Sequence, residues 1–287
     1  MLPSLGNNAA LSYIARFFYT HRAALQRFVF IRCPILLTLP DFKIYVRLND
    51  WAIGARIAVR RTHEPHVTRV IRALLQPGTV MVDIGANIGY YTLLAAARLG
   101  STGKVIAFEP NVDNCTLLHK SLQANDFANA VLYNVAVAEA EGVVSLHISD
   151  SNGSIVPDHL LAHPYHVRTV RLDDVLRDEA RIDLIKMDIE GAEGRALQGM
   201  HGVIQRCAPV IVTELHPAAL RTVSHMAPEE YLNTLRALGY KLCVIPRTTE
   251  PQATPQSNAQ IMQAWAESQF DHVDLVAYPQ DQPRKSR

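Results

Sequence analysis

The sequence predicts an α/β fold built on a doubly wound, mostly parallel sheet. Three observations point there: short apolar runs that alternate with helical patterns from residue 80 onward, a glycine-bearing turn straight after the first run, and a polar or acidic residue at the end of five of them. With 287 residues, 48% hydrophobic and 19% charged, the chain suffices for one large domain plus an appendage, and the composition excludes a disordered protein.

Taken in order, VMVDIG (80–85) is the first strand and IGYYTLLAAARLG the helix after it. KVIAFEP, AVLYNVAV, RIDLIKMD and PVIVTEL read as the next four strands, with NVDNCTLLHKSLQAN as a helix between the second and third. PEEYLNTLRALGY predicts a later helix, and KLCVIP and HVDLVAYP are expected to close the sheet as a C-terminal antiparallel hairpin, with residues 247–271 inserted between them. VVSLHISD and VRTVRLDDVL, on either side of SNGSIVPDH, break the alternation and are expected to form an edge excursion near the active face.

Residues 1–72 carry eleven Lys/Arg against three Asp/Glu and are expected to be a basic helical and strand appendage to a ligand-binding domain over 73–287. Their stretch FVFIRCPILLTL is interrupted by Arg32 and Pro34 and falls short of the ~20 residues that span a bilayer. No signal-peptide cleavage pattern follows it. Docking on the core is favoured over peripheral contact with an anionic membrane. The four cysteines, Cys33, Cys115, Cys207 and Cys243, form no CxxC pair, which points to a reducing, cytoplasmic setting. No nucleic-acid partner is expected. Of the histidines, His63, His66, His159, His163, His166 and His225 fall in predicted loops and read as solvated.

In open α/β sheets, ligands bind beyond the carboxyl ends of the strands. Those ends here are Asp83, Glu109, Asn134, Asp188 and Glu214, and five polar groups in five successive places favour a ligand over packing. The turn Gly85-Ala86-Asn87-Ile88-Gly89 lacks the middle glycine of G-x-G-x-x-G, which disfavours a pyrophosphate and so an NAD-dependent dehydrogenase. Asp83 would repel a phosphate but suits a ligand with an ammonium and a sulfonium, such as S-adenosylmethionine.

The strings VDIGANIGYYT, AFEPN, NVAVAE, RLDDVL and DLIKMDIEGAEGRALQG occur in the order and spacing of a known family, and the chain resembles the FkbM-type S-adenosylmethionine-dependent methyltransferases over about residues 40–245. The resemblance implies the class I methyltransferase fold and O-methylation of a small-molecule or glycan acceptor, a hydroxyl on a sugar or a polyketide-like natural product. It implies that Gly85, Asn87 and Gly89 bring backbone to the amino-acid end of the cofactor, and that Asp83 reaches its ammonium directly or through water. Glu109 would hold the ribose, with Pro110 and Asn111 beside it, and Asn134 would lie near the adenine unless it serves a turn. Either Tyr90 or Tyr91 would touch the cofactor while the other packs.

For the chemistry, Asp188 at the strand tip is the first candidate, with Glu214 and His216 two apart on the next strand end and Glu190 divided between function and helix capping; Glu193 reads as a cap. His216 is placed slightly ahead as the base that takes the acceptor proton. The second route is a shared Mg2+ or Mn2+ on Asp188, Glu214 and His216. A non-catalytic adenosyl-ligand sensor is the remaining alternative.

Overall fold

The computed structural model describes residues 33–149, 151–155, 165–247 and 254–280. It begins with a hairpin of β1 (Ile35–Thr38) and β2 (Lys43–Val46), followed by helices α1 (Gly54–Arg60) and α2 (Pro65–Leu74). The alternating pattern then appears as expected: β3 (Val80–Ile84), α3 (Tyr90–Leu99), β4 (Lys104–Phe108), α4 (Val112–Ala124) and β5 (Ala130–Tyr133). A second sheet follows, made of β6 (Ala136–Val137), β7 (Gly142–Ser149), β8 (Asn152–Ile155) and β9 (Tyr165–Val170).

After a turn of helix α5 (Leu172–Val175), the chain returns through β10 (Leu184–Met187), α6 (Glu193–Gln198), α7 (His201–Cys207) and β11 (Val210–Leu215). It ends with the single turn α8 (Pro217–Ala219), α9 (Pro228–Ala237), β12 (Tyr240–Val244), α10 (Asn258–Glu267) and β13 (Val273–Pro279).

The main sheet has seven strands in the order β12-β13-β11-β10-β3-β4-β5. Strands β11, β10, β3, β4 and β5 are parallel, and β13 is antiparallel to both its neighbours. The terminal hairpin therefore forms as expected, with β13 slotted between β11 and β12. Chain order reverses at β3, which has β4 on one side and β10 on the other, so the crevice that receives a ligand opens between β3 and β10.

Period-two alternation along the strands supplies both faces of the sheet with apolar side chains. Met81, Val105 and Ala107 join Leu93, Leu94, Leu117 and Leu118 in one cluster. Val82, Ile84, Ile106 and Phe108 join Leu197, Val203, Ile204 and Leu232 in the other.

Leu37, Ile44, Ile57 and Ile71, from the region read as an appendage, belong to the same cluster as α3 and α4. The hairpin is also pinned to α4 by hydrogen bonds: Lys43 N–H donates to Asn125 Oδ1 at 2.7 Å and Tyr45 N–H to Ser121 Oγ at 2.9 Å. The described part of the basic region is thus docked; residues 1–32 lie outside the described residues.

Two expectations change. AVLYNVAV is not one strand: the chain leaves the main sheet after Tyr133 and re-enters strand structure at Ala136 in the second sheet. The edge excursion is that separate sheet, in the order β6-β9-β7-β8. Among the described residues no helix is long and apolar enough to cross a membrane.

Candidate active site

Register places the site. Ile84, Phe108 and Met187 stand in one row across β3, β4 and β10, so Gly85, Glu109 and Asp188 follow side by side at the carboxyl edge. A cavity of about 660 Å³ opens over that edge. Its wall includes Gly85 to Ile88, Glu109, Pro110, Tyr90 and Tyr91 from the ends of β3 and β4 and the start of α3, and Lys186, Asp188, Glu190, Glu214 and His216 from the ends of β10 and β11.

The turn after β3 is held by its own hydrogen bonds. Gly85 and Ala86 N–H both donate to Phe108 O, at 2.9 and 3.0 Å, and Gly89 N–H donates to Ala86 O at 2.9 Å. Asn87 N–H goes to Glu109 Oε2 at 2.8 Å, and Ile88 N–H to Asn87 Oδ1 at 2.7 Å. Every N–H from residue 85 to 89 is therefore spent inside the protein, and none is left to cradle a pyrophosphate. The glycines answer to the same crowding. At Gly85 (φ +76°) a Cβ would lie 2.1 Å from Asp188 O, and at Gly89 (φ +95°) 2.2 Å from Leu118 Cδ1. They bring the turn onto β10 and α4.

Glu109 is buried and accepts three hydrogen bonds, from Asn87 N–H and Asn111 N–H at 2.8 Å each and from Asn114 Nδ2 at 3.3 Å. Desolvation outweighs these donors and raises its pKa to about 7. A carboxylate offers about four lone-pair sites. Room remains for roughly one further donor such as a ribose hydroxyl.

Asp83 is fully buried and does not line the cavity. Thr92 Oγ1 donates to its Oδ2 at 2.6 Å, Lys186 Nζ lies 3.9 Å from Oδ1, and burial raises its pKa. Oδ1 has no hydrogen-bond partner among the described residues. Asn134 is likewise absent from the wall. Its Nδ2 donates to Glu109 O and Pro110 O, each at 2.9 Å, so it performs the turn role and ties down the strand end where the chain changes sheets. Asn111 N-caps α4 by accepting from Asp113 N–H at 2.9 Å.

Tyr90 and Tyr91 both pack edge to face, 5.3 Å between centroids, and both reach the cavity wall. The Tyr91 hydroxyl donates to Glu64 Oε2 at 2.9 Å.

The ends of β10 and β11 bring a cluster of carboxyl groups to the cavity, with Lys186 and Arg247 among them. Asp188 and Glu190 come from the β10–α6 turn and Glu214 from β11, with Asp271 beside them from the segment before β13. Glu190 holds a left-handed backbone (φ +55°) uncommon for a side chain of its kind, accepts from Asn152 Nδ2 at 2.8 Å, and has its pKa raised to about 7 by burial and by Asp188. Glu214 is raised well above the usual carboxylate range by burial, then by Asp188. Glu193 accepts from Ile189 N–H at 2.8 Å, the backbone role expected of it, and burial raises it to about 8.

Lys186 was missed by sequence reasoning as a site residue. Its Nζ lies 3.4 Å from Asp188 Oδ2 and 3.0 Å from Gly85 O, on the cavity wall and over the Tyr91 ring at 5.5 Å. Burial opposes its charge, but Asp188 and Asp83 together override burial and hold its pKa above the usual lysine value. The signal was present in LIKMD, where alternation puts Lys186 and Asp188 on one face.

The expected metal set does not assemble. Among the described residues, the carboxylate and imidazole atoms that converge, within 4.8 Å of one another, belong to Glu214, His272 and Asp274. Asp188 and His216 are not part of that group. The antiparallel register of β13, pairing Glu214 with Asp274, brings in residues sixty positions away in sequence. Even this group has other partners: Asp274 Oδ2 is 2.7 Å from His66 Nε2 and 3.7 Å from the Arg247 guanidinium. Asp274 is thus already engaged by an imidazole and a guanidinium. His66, expected to be solvated, is buried in this contact.

His216 faces the cavity, but its Nδ1 accepts from Ala219 N–H at 3.2 Å, and its Nε2 lies 3.6 Å from Asp271 Oδ2. The lone pair of a neutral ring is engaged at Nδ1, which leaves Nε2 as the N–H side.

A seven-stranded sheet with one antiparallel strand second from its edge is the fold of the class I S-adenosylmethionine-dependent methyltransferases. Residues 83–242 match the methyltransferase FkbM domain, and the chain belongs to that family. It is 27% identical over 187 residues to methyltransferase sdnD of Sordaria araneosa, covering 52% of this chain and 71% of sdnD. It is equally 27% identical over 187 residues to AMB antimetabolite synthetase AmbE of Pseudomonas aeruginosa, where the match spans 50% of this chain and only 9% of AmbE. Among solved structures it is similar to an FkbM methyltransferase from Methylobacillus flagellatus, 17% identical with a TM-score of 0.44, over 80% of this chain and 54% of that one.

Proposed function

We propose that the protein methylates a hydroxyl oxygen of a sugar, glycan or hydroxylated natural product, with Glu190 receiving the acceptor's proton. Bound S-adenosylmethionine supplies a methyl group on a positively charged sulfur, so the chain has to align an acceptor and take its proton. Glu109 would hold the ribose, the turn over 85–88, its N–H groups already used, would offer only carbonyl oxygens and packing to the amino-acid end, and the apolar wall of Phe108, Val135, Val137, Leu146 and Ile155 would hold the adenine. Asp83, through a water on its unpartnered oxygen, suits the ammonium.

The observation that carries the proposal is the acidic strand-end cluster in the same cavity, within which Glu190 titrates near neutrality at about 7. A general base works best when its pKa lies near the working pH. Glu190 fits that requirement, and Asn152 fixes its orientation through Oε1, leaving Oε2 towards the acceptor. Asp188, held by Lys186, is placed to orient the hydroxyl. His216, its Nδ1 engaged by Ala219, is placed to donate to the acceptor or to Asp271 rather than to act as base.

The test is the pH profile of turnover. The parent's rate should rise through about 7 and level off as Glu190 loses its proton. Glu190→Gln should lower kcat by roughly 10²-fold and abolish that limb. An unchanged profile in Glu190→Gln would remove Glu190 from this role.

A further inference from the structure

The cavity carries four cationic side chains, and they are not alike. Lys186 is committed to Asp188 and Gly85 O. Arg247 lies 3.7 Å from Asp274 and stacks 4.1 Å over Phe270. Arg56 and Arg60 line the same cavity and have no hydrogen-bond or ion-pair partner among the described residues.

Other cations of the docked N-terminal region contrast with them. Lys43 donates to Ala124 O, Arg47 pairs with Asp113, Arg61 donates to Thr38 O and Arg72 pairs with Asp41. Arg56 and Arg60 are four apart on α1, and with Ala52 and Ile53 they form one stripe towards the cavity. The opposite face is locked: Ile57 and Ala58 are buried, and Asp50 accepts from Ile53 and Gly54 N–H at 3.1 and 2.9 Å. A Cβ at Gly54 would fall 2.3 Å from Arg47 O, so α1 sits hard against the preceding turn. The two guanidiniums are thus presented from a fixed support, exposed at the wall of a cavity whose floor is acidic.

We infer that the acceptor bears an oxyanion, a phosphate or a carboxylate, and that Arg56 and Arg60 grip it. The inference rests on the methyl-transfer reading of this cavity. Asp188 and Asp271, joined by Glu190 as it ionises above about pH 7, disfavour an anion beside them, whereas Glu214 is held protonated by burial; the unpartnered guanidiniums attract the anion to α1. An acceptor with an anionic group and a free hydroxyl is therefore drawn in one way round, with the hydroxyl towards Glu190. Paired guanidiniums match two or more oxygens of a phosphate, or both oxygens of a carboxylate, in a planar fork.

The full chain loaded with S-adenosylhomocysteine is titrated by calorimetry at low ionic strength with inorganic pyrophosphate, with glucuronate and with glucose. The parent should bind at least one of the two anions and not glucose, and whichever anion binds identifies phosphate or carboxylate as the source. Arg56→Ala/Arg60→Ala should weaken that binding by about tenfold or more, while Arg56→Lys/Arg60→Lys, which keeps the charge but loses the planar fork, should fall between the parent and the alanine variant. S-adenosylhomocysteine affinity should be the same in all three proteins. Failure of the parent to bind either anion, or equal binding by the alanine variant, would overturn the inference. So would a parallel loss of S-adenosylhomocysteine affinity in the alanine variant, which would assign the arginines to the cofactor's own carboxylate. If the parent did not bind S-adenosylhomocysteine at all, the methyl-transfer reading itself would fall.

Discussion

Glu109 serves the turn and the cofactor with one carboxylate. Two backbone N–H groups and one amide already point at it, yet burial keeps its pKa near 7, so the free protein at neutral pH holds it partly protonated. A ribose hydroxyl donates to the ionised form, so S-adenosylhomocysteine should bind more tightly as pH rises through about 7. Glu109→Gln should flatten that dependence and cost on the order of 2 kcal/mol, about 30-fold in Kd at pH 8, read by calorimetry. Strand-end residues such as Glu109 and Asp188 were legible in the sequence because apolar runs end abruptly on a charge. What the side chains do there was less legible. Asn134 and Asn111 look like cofactor contacts by position, and only the fold reveals that their amides are used by neighbouring backbone.

Among the elements, the turn from β3 into α3 is the most tightly specified. It needs a left-handed residue at Gly85 and has Asp188 O where a side chain would go, so Gly85→Ala must move the β10 tip that carries the acidic cluster. The variant should lose roughly 2–3 kcal/mol of stability, some 3–5 °C in Tm, and turnover should fall with it. Parent-like stability together with parent-like turnover would contradict the close approach of these two strand ends. The parallel strands were readable from their length and alternation. The break in AVLYNVAV was not, because the run stays apolar across Asn134 while the chain passes from one sheet to the other. Neither was the neighbourhood of Glu214: β13 sits beside β11 through pairing of residues sixty apart, and this contact gathers Asp274, His272 and His66 around a residue expected to face His216 and Asp188.

For the whole molecule, the buried carboxylates make stability depend on pH in an unusual sense. Glu109 and Glu190 titrate at about 7 in the folded chain and Glu193 at about 8, all above the ordinary value of 4.5. Between those limits the folded protein holds protons that the unfolded chain has released, so these groups favour the fold fully below about 4.5 and lose that contribution as pH climbs through 7 to 8. Cofactor-free protein should accordingly show a Tm that declines between about pH 5.5 and about pH 8. Glu193→Gln should shrink the decline, and a Tm rising over the same range would contradict the burial of these groups. Domain organisation at this scale was only half readable. The basic composition of residues 1–72 marks an appendage, but Leu37, Ile44, Ile57 and Ile71 share a core with α3 and α4, and α1 contributes Arg56 and Arg60 to the cavity.

The central claim, that the cavity joins a cofactor site to an acidic cluster able to ionise an alcohol, is tested most directly by the bond that carries the transferred methyl group. The protein is incubated with S-adenosylmethionine labelled with carbon-13 at the methyl and with a small-molecule and glycan extract, and the labelled product is read by carbon–proton correlation. The account predicts label in the shift region of methyl ethers, and far less of it with Glu190→Gln. Label in the methylamine or thioether region instead, or ether label undiminished in Glu190→Gln, would contradict it.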